Sequence, residues 1–148
     1  MGQQDLYLAL QKALMETGER MIFREIEGMS EKTKEEALKE NDYQISIPIE
    51  YPFKGQLFLF FEREASAQIV TEMLGEPVQN EDQIKDGLAE LGNTISGRFL
   101  RNYSAKGGSY EMGLPRCSIV GNVNAVPLHK VWAFRFDDLT VFAGTKKE

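Results

Sequence analysis

The chain has 148 residues, and its hydrophobic share of 42% and charged share of 27% are those of an ordinary globular protein. Its formal net charge of −6 argues against a nucleic-acid-binding protein, because such a protein needs a cationic face. No apolar run approaches the roughly 20 residues of a membrane-spanning helix and the N-terminus has no signal-peptide pattern, so we expect a cytoplasmic protein with one domain, residues 1–148.

The first part of the chain predicts a helix, a charged linker and a hairpin. Apolar residues recur at near-helical spacing over residues 5–27, which predicts the first helix. The following stretch, up to residue 42, carries both charge signs and is predicted to be a solvated linker with at most a helical turn. YQISIPIEY then alternates isoleucines on one face, and KGQLFLFFE is its expected antiparallel partner. The nearby prolines place the first of these strands near a sheet edge or a bulge.

Two further helices are predicted after this hairpin. The first carries an apolar face and ends at Gly75, a common C-terminal helix cap. Asn80 and Gln83 resemble a capping box that opens the second helix, which we expect to run from about residue 81 to residue 103. The KGG at residues 106–108 is predicted to end that segment.

The remainder of the chain predicts β-structure. One strand is expected around Cys117–Val120, and VWAFRF and LTVFAG form a predicted hairpin. Hairpin connections of this kind predict an α+β fold with a mostly antiparallel sheet. The two halves also resemble each other faintly, since residues 15–19 can be laid on residues 89–93 and each helix is followed by strands.

The chain has one cysteine and one histidine, which limits its metal and nucleophile chemistry. No Cys/His zinc cluster can be built from them. Cys117 lies in a strand-like run, and we interpret it as a buried inert thiol in preference to a nucleophile. His129 has no serine or cysteine partner in a recognisable nucleophile motif, and no phosphate-binding glycine loop is present.

The helix predicted over residues 81–103 contains Gly92, Asn93 and Gly97, residue types that weaken a helix. On a wheel of about 100° per residue, one apolar sector holds Ile84, Leu88, Leu91, Ile95 and Phe99. The opposite side holds Asp86, Glu90, Asn93 and Gly97. A plain solvent-facing side accounts for the acids but does not require glycine and asparagine at mid-helix. A helix that docks flush against another molecule and presents an acid and an amide does require them, because an amide can hold and orient a water.

These residues also match a known motif, Asp86-x-x-x-Glu90-x-x-Asn93, followed by Gly97 and then Pro115. The pattern resembles the CheC/CheX/FliY family of chemotaxis phosphatases, most closely its CheX branch. GQLFLFFEREASAQIVTEMLGE also resembles the strand and helix that precede the motif in that branch, and the resemblance covers roughly residues 43–143. It implies an α+β, CheC/CheX-like fold with two long helices packed on a mostly antiparallel sheet. In the family's motif, Pro115 would have a structural role.

The resemblance implies a phosphatase, a hydrolase acting on the aspartyl phosphate of a CheY-like response-regulator receiver in chemotaxis or related two-component signalling. Glu90 and Asn93 would be the catalytic residues: Glu90 would pair with the receiver's active-site lysine, and Asn93 would orient water for in-line attack. Asp86, Glu90 and Gly97 would contact the receiver. Mg²⁺ would be carried by the receiver, so this chain would need no metal ligand and no cofactor of its own.

CheX-like proteins are homodimers with one motif per chain, and this chain fits that pattern because its first helix presents Glu16 and Glu19 in place of glutamate and asparagine. We therefore expect a homodimer, with no nucleic acid and no membrane as partner. The family also includes flagellar-switch and scaffold-like members, so receiver binding without hydrolysis stays open. The presence of both Glu90 and Asn93 favours the enzyme. An unrelated α+β domain is the third alternative.

Overall fold

The computed structural model describes residues 3–104 and 109–148, so the predicted helix end at residues 106–108 lies outside the described residues. The helices are α1 Gln3–Met21, α2 Lys34–Ala37, α3 Arg63–Leu74 and α4 Glu81–Tyr103. The strands are β1 Ile26–Thr33, β2 Tyr43–Tyr51, β3 Gly55–Phe61, β4 Glu111–Met112, β5 Arg116–Ile119, β6 Lys130–Phe136 and β7 Thr140–Lys147.

The strands form one sheet in the order β1-β6-β7-β3-β2-β4, with β5 also paired to β2, and the pairings are antiparallel. This confirms the predicted α+β class and both predicted hairpins. Strand β2 lies next to the edge formed by β4 and β5, as its prolines indicated. Pro48 falls between the stretch of β2 that pairs with β5 and the stretch that pairs with β4.

The predictions for residues 5–42 are partly wrong. Helix α1 ends at Met21, and the chain leaves it through Phe23, which has a positive φ of 55°. Most of the predicted linker forms β1 and α2. β1 is an edge strand that pairs with β6, and most of its residues are exposed. Main-chain hydrogen bonds, and not a buried apolar face, hold this strand to the sheet, so its charged sequence gave no strand periodicity.

Three helices, α1, α3 and α4, pack on one face of the sheet around the larger core. Every second residue of the central strand β3 points into that core, which includes Leu57, Leu59 and Phe61. The alternate residues Phe58 and Phe60 point to a smaller core on the other face, where α2 and the segment before β6 cover the sheet. The sheet is therefore buried on both faces, and α4 presents only its outer side to solvent.

The order of the strands gives structural support to the faint repeat. Helix α1 precedes β1, β2 and β3, and α4 precedes β5, β6 and β7. In the sheet these sets occupy mirrored places, with β1 corresponding to β5, β2 to β6 and β3 to β7. Gly18 and Gly92, which the repeat aligns, are both buried. The two long helices pack together, and Asn102 Nδ2 of α4 donates to the Ala9 carbonyl of α1 at 3.5 Å.

Candidate functional site

Helix α4 begins at a well-defined cap. The Asn80 side chain accepts a hydrogen bond from the Gln83 N–H at 2.9 Å, as predicted. The box is not reciprocal, however, because the Gln83 side chain accepts from the N–H of Gln79, one residue before the cap. In the first turn, Glu81 bonds with Arg63 of α3, and this hydrogen bond lowers the pKa of the Glu81 carboxyl. The start of α4 is thereby fixed to its neighbouring helix.

Two glycines of α4 allow the helix to lie close to its own domain. A Cβ placed on Gly87 would lie 2.5 Å from Cγ1 of Val70 in α3. A Cβ on Gly92 would lie 2.8 Å from Cγ2 of Ile45 in β2. Real Cβ atoms essentially never come this close to another heavy atom. The interpretation of Gly92 as a small residue for docking an external partner is therefore wrong, since it is small to pack on β2.

Gly97 lies one turn beyond Asn93 but is buried. The hydroxyl oxygen of Tyr110 lies 3.2 Å from the place of a Gly97 Cβ, so the tyrosine covers this part of the helix. Gly97 is therefore not exposed like the other residues of the predicted polar side, and its contact with a receiver stays a prediction. No residue pattern predicted the contact with Tyr110, because it joins α4 to the segment that precedes β4 and depends on tertiary packing.

Asp86, Glu90 and Asn93 are all exposed on the outer side of α4, and we call these three residues the motif face. Within residues 3–104 and 109–148, their side chains make no hydrogen bond or ion pair. The helix beneath them is held by core residues such as Leu88 and Leu91, which are 0% and 1% exposed. The structure therefore brings two carboxylates and one amide together on a rigid support, with their polar atoms free to bind another molecule.

The β4–β5 segment, residues 111–119, runs beside α4 and borders the motif face. Near one end of it, Ser96 Oγ lies 3.1 Å from Met112 Sδ. Toward the other end, Cys117 lies close enough to Lys85 and Asp86 for their charges to act on its thiol. Pro115 is half-buried in the loop between these two contacts. Pro115 thus lies in the loop that joins these two contacts with α4.

The remaining candidate groups are inert or distant. Burial raises the pKa of the Cys117 thiol to about 11, as expected for an unreactive thiol. His129 is exposed in the loop before β6, beside Lys34 and Lys130. In the part of the chain that the structure describes, no group of three or more His, Cys, Asp or Glu side chains could hold a metal ion. None of the described helices is long and apolar enough to cross a membrane.

Comparison with known proteins gives a consistent result. The family model described as chemotaxis phosphatase CheX matches residues 43–130. CheX from Desulfovibrio desulfuricans is 16% identical and has a TM-score of 0.78, with 97% of this chain and 99% of that chain covered. The CheX–CheY–BeF₃–Mg²⁺ complex from Borrelia burgdorferi contains a chain 15% identical, with a TM-score of 0.73 and coverage of 98% and 97%. FliY from Thermotoga maritima is 13% identical, with a TM-score of 0.66 and coverage of 99% and 91%. No curated protein sequence matches the chain.

Proposed function

Because the chain belongs to the chemotaxis phosphatase CheX family, we propose that it hydrolyses the aspartyl phosphate of a CheY-like receiver domain. One observation carries the proposal. Glu90 and Asn93 stand at i and i+3 on the outer side of α4, exposed and without a side-chain partner among the described residues. Polar groups placed in this way on a packed helix are ready to enter another protein's active site.

The proposed reaction uses these two side chains for positioning. Glu90 pairs with the active-site lysine of the receiver and fixes the register of the complex. Asn93 reaches the acyl phosphate and holds a water in line with the phosphorus–oxygen bond to the receiver's aspartate. The water oxygen bonds to phosphorus, the bond to the aspartyl oxygen breaks, and inorganic phosphate and a free carboxylate result. Phosphoryl transfer depends mainly on positioning and charge neutralisation, so two added side chains suffice.

Mg²⁺ has its place on the receiver in this proposal, where it neutralises charge on the phosphoryl group. The solved relative from Borrelia burgdorferi is a complex of CheX with CheY, BeF₃ and Mg²⁺, which supports a receiver as the partner. Asp86 contacts the receiver one turn before Glu90. Gly97 contributes indirectly, since its lack of a side chain leaves room for Tyr110 at the border of the surface.

We also propose that the protein is a homodimer with one site on each subunit. Helix α1 carries Glu16 and Glu19 where α4 carries Glu90 and Asn93, so it lacks the amide that would orient water. Light scattering coupled to size-exclusion chromatography tests this proposal, because the chain mass is 16.8 kDa and a dimer has twice that mass. A mass of a single chain at micromolar concentration would contradict it.

The function is tested by mixing the purified protein with a panel of acyl-phosphorylated CheY-type receivers and following phosphate release. We expect at least one receiver to lose its phosphate faster than it does alone. Asn93→Ala should lose this acceleration, and Asn124→Ala is its matched control, because Asn124 is exposed in the 3₁₀ turn Val123–Ala125 on the other face of the sheet. Binding of a receiver with no acceleration would support the alternative, a receiver-binding scaffold that does not hydrolyse.

A further inference from the structure

One large apolar side chain at the border of the motif face is almost fully exposed. Leu114 is 86% exposed, the highest value among the large hydrophobic side chains that the structure describes. Single exposed leucines are common in proteins and do not by themselves mark a binding site. The position of Leu114 and the way in which its backbone is held distinguish it from an ordinary surface leucine.

The contacts of the β4–β5 segment indicate which part of α4 Leu114 lies along. Leu114 stands between Met112, which contacts Ser96, and Cys117, which lies near Lys85 and Asp86. Asn93 lies three residues before Ser96, which is about 60° around the helix. Leu114 therefore lies along the same stretch of α4 as the motif face, on the side of the helix nearest to the amide.

The backbone on both sides of Leu114 is fixed. The Gly113 N–H donates to the Pro48 carbonyl at 2.8 Å, and a Cβ on Gly113 would lie 2.6 Å from Cγ of Pro48. Beyond the loop, Arg116 pairs with Ser46 of β2. Pro115 restricts the residue before it to extended conformations. Leu114 is thus presented to solvent by a short loop attached to β2 at both ends, and a pre-organised side chain loses little entropy on binding.

We propose that Leu114 is an apolar anchor of the receiver-docking surface, packing on an apolar patch at the rim of the phosphorylation pocket while Glu90 and Asn93 enter it. This inference rests on the proposed function. The motif face itself offers only charged and amide groups, whose attraction for a partner is screened by salt. An apolar contact beside them adds affinity that salt does not screen, and it excludes water from the neighbouring polar contacts.

The test compares Leu114→Ser with two controls. Leu114→Met keeps an apolar side chain, and Met29→Ser removes an apolar side chain that is 41% exposed on β1, at the opposite edge of the sheet. Each variant is titrated with a receiver loaded with beryllofluoride and Mg²⁺, and its phosphate release is measured over a range of phosphorylated receiver. Leu114→Ser should raise both Kd and KM about tenfold or more, the loss expected when a buried leucine contact is removed. Turnover at saturation should stay within about twofold of the wild-type value.

The two controls should behave as wild type, and the melting temperature of Leu114→Ser should not fall. If wild type binds and dephosphorylates the receiver and Leu114→Ser binds equally well, the inference is wrong and the proposed function still holds. A large fall in melting temperature would assign Leu114 to the packing of its own chain and would also overturn the inference. If wild type neither binds nor dephosphorylates any receiver, the proposed function fails, and the anchor fails with it.

Discussion

At the scale of single residues, the glycines of α4 serve different contacts. Gly87 lies against Val70 of α3 and Gly92 against Ile45 of β2, both of them β-branched side chains in the core. Gly97 meets only the free end of the half-buried Tyr110 side chain. A residue type that weakens helices is therefore used twice for internal packing and once beside a flexible neighbour. The sequence shows that these positions are glycines, but it does not show which of these contacts each glycine serves.

This difference predicts opposite effects of the same substitution. Gly87→Ala should lower the free energy of unfolding by up to about 2 kcal/mol, because overpacking costs roughly 1–3 kcal/mol and the gain in helix propensity offsets only about 1 kcal/mol of it. Gly97→Ala should leave stability unchanged or raise it, because the Tyr110 hydroxyl can move by the few tenths of an ångström required. Urea unfolding of both variants checks this. Equal destabilisation by the two substitutions would show that Tyr110 is as rigid as Val70.

Glu90 is expected to act mainly in docking. Glu90→Ala should weaken receiver binding by about 2–5 kcal/mol, since it leaves a desolvated lysine of the receiver without its partner. Glu90→Gln should retain part of the affinity, because the amide oxygen can still accept a hydrogen bond. Glu76→Ala, at an exposed acid just after α3, is the matched control for the change in charge. Calorimetric titration with the beryllofluoride-loaded receiver measures the effect, and an unchanged affinity for Glu90→Ala would remove the contact with lysine.

At the scale of elements, residue patterns predicted the helices and strands that have a buried apolar face or a local cap or turn signal. The bounds of α4, the helix that ends at Gly75 and the two hairpins follow from apolar periodicity and turn residues, and the structure agrees with them. Strand β1 was missed because an edge strand needs no buried face. The positions of Tyr110 and Leu114 were missed because they depend on how residues 110–119 lie against α4, which local patterns do not encode. The motif face itself was predictable because i and i+3 neighbours follow from helix geometry.

Arg24, in the connection between α1 and β1, links this connection to α3 and to the β6–β7 turn. Arg24 has a side chain only 9% exposed, and it bonds with Glu72 of α3 and with Asp138 in the β6–β7 turn. Its Nη1 also donates to the Ile22 carbonyl at 2.9 Å. The planar guanidinium satisfies all these partners at once, which the single ammonium of lysine cannot do.

Arg24→Ala should therefore lower the free energy of unfolding at neutral pH by about 1.5–3 kcal/mol, the usual value of hydrogen bonds to a charged group. Arg24→Lys should retain only part of this stabilisation. Hydrogen bonding to Arg24 lowers the pKa of the Asp138 carboxyl in the folded state. The stability from this pair is thus present above the unfolded-state pKa of about 4 and is lost as the pH falls through the folded-state pKa. Denaturation at pH 7 and in acid measures the difference between wild type and Arg24→Ala, which should shrink in acid; a constant difference would contradict this role for Asp138.

At the scale of the whole molecule, two halves with mirrored strand positions share one sheet but have different surfaces. The strands of each half occupy mirrored places, and both long helices pack on the same face. The outer side of α4 carries a free acid and amide beside a rigid loop, whereas the corresponding positions of α1 carry two glutamates. The common core fixes the position of both helices, so a difference in a few outward side chains gives α4 the acid and amide that the proposed function uses and leaves α1 without the amide.

The central claim is that Asn93 orients the attacking water in a receiver's phosphorylation pocket. The most direct measurement is the rate of phosphate release from a phosphorylated receiver at saturation, compared between wild type and Asn93→Ala. We predict that Asn93→Ala lowers this rate by about 10²–10³, the usual effect of removing one preorganised polar group, while its melting temperature and its affinity for the beryllofluoride-loaded receiver stay close to those of wild type. An Asn93→Ala variant that binds the receiver and keeps near wild-type turnover would contradict the claim.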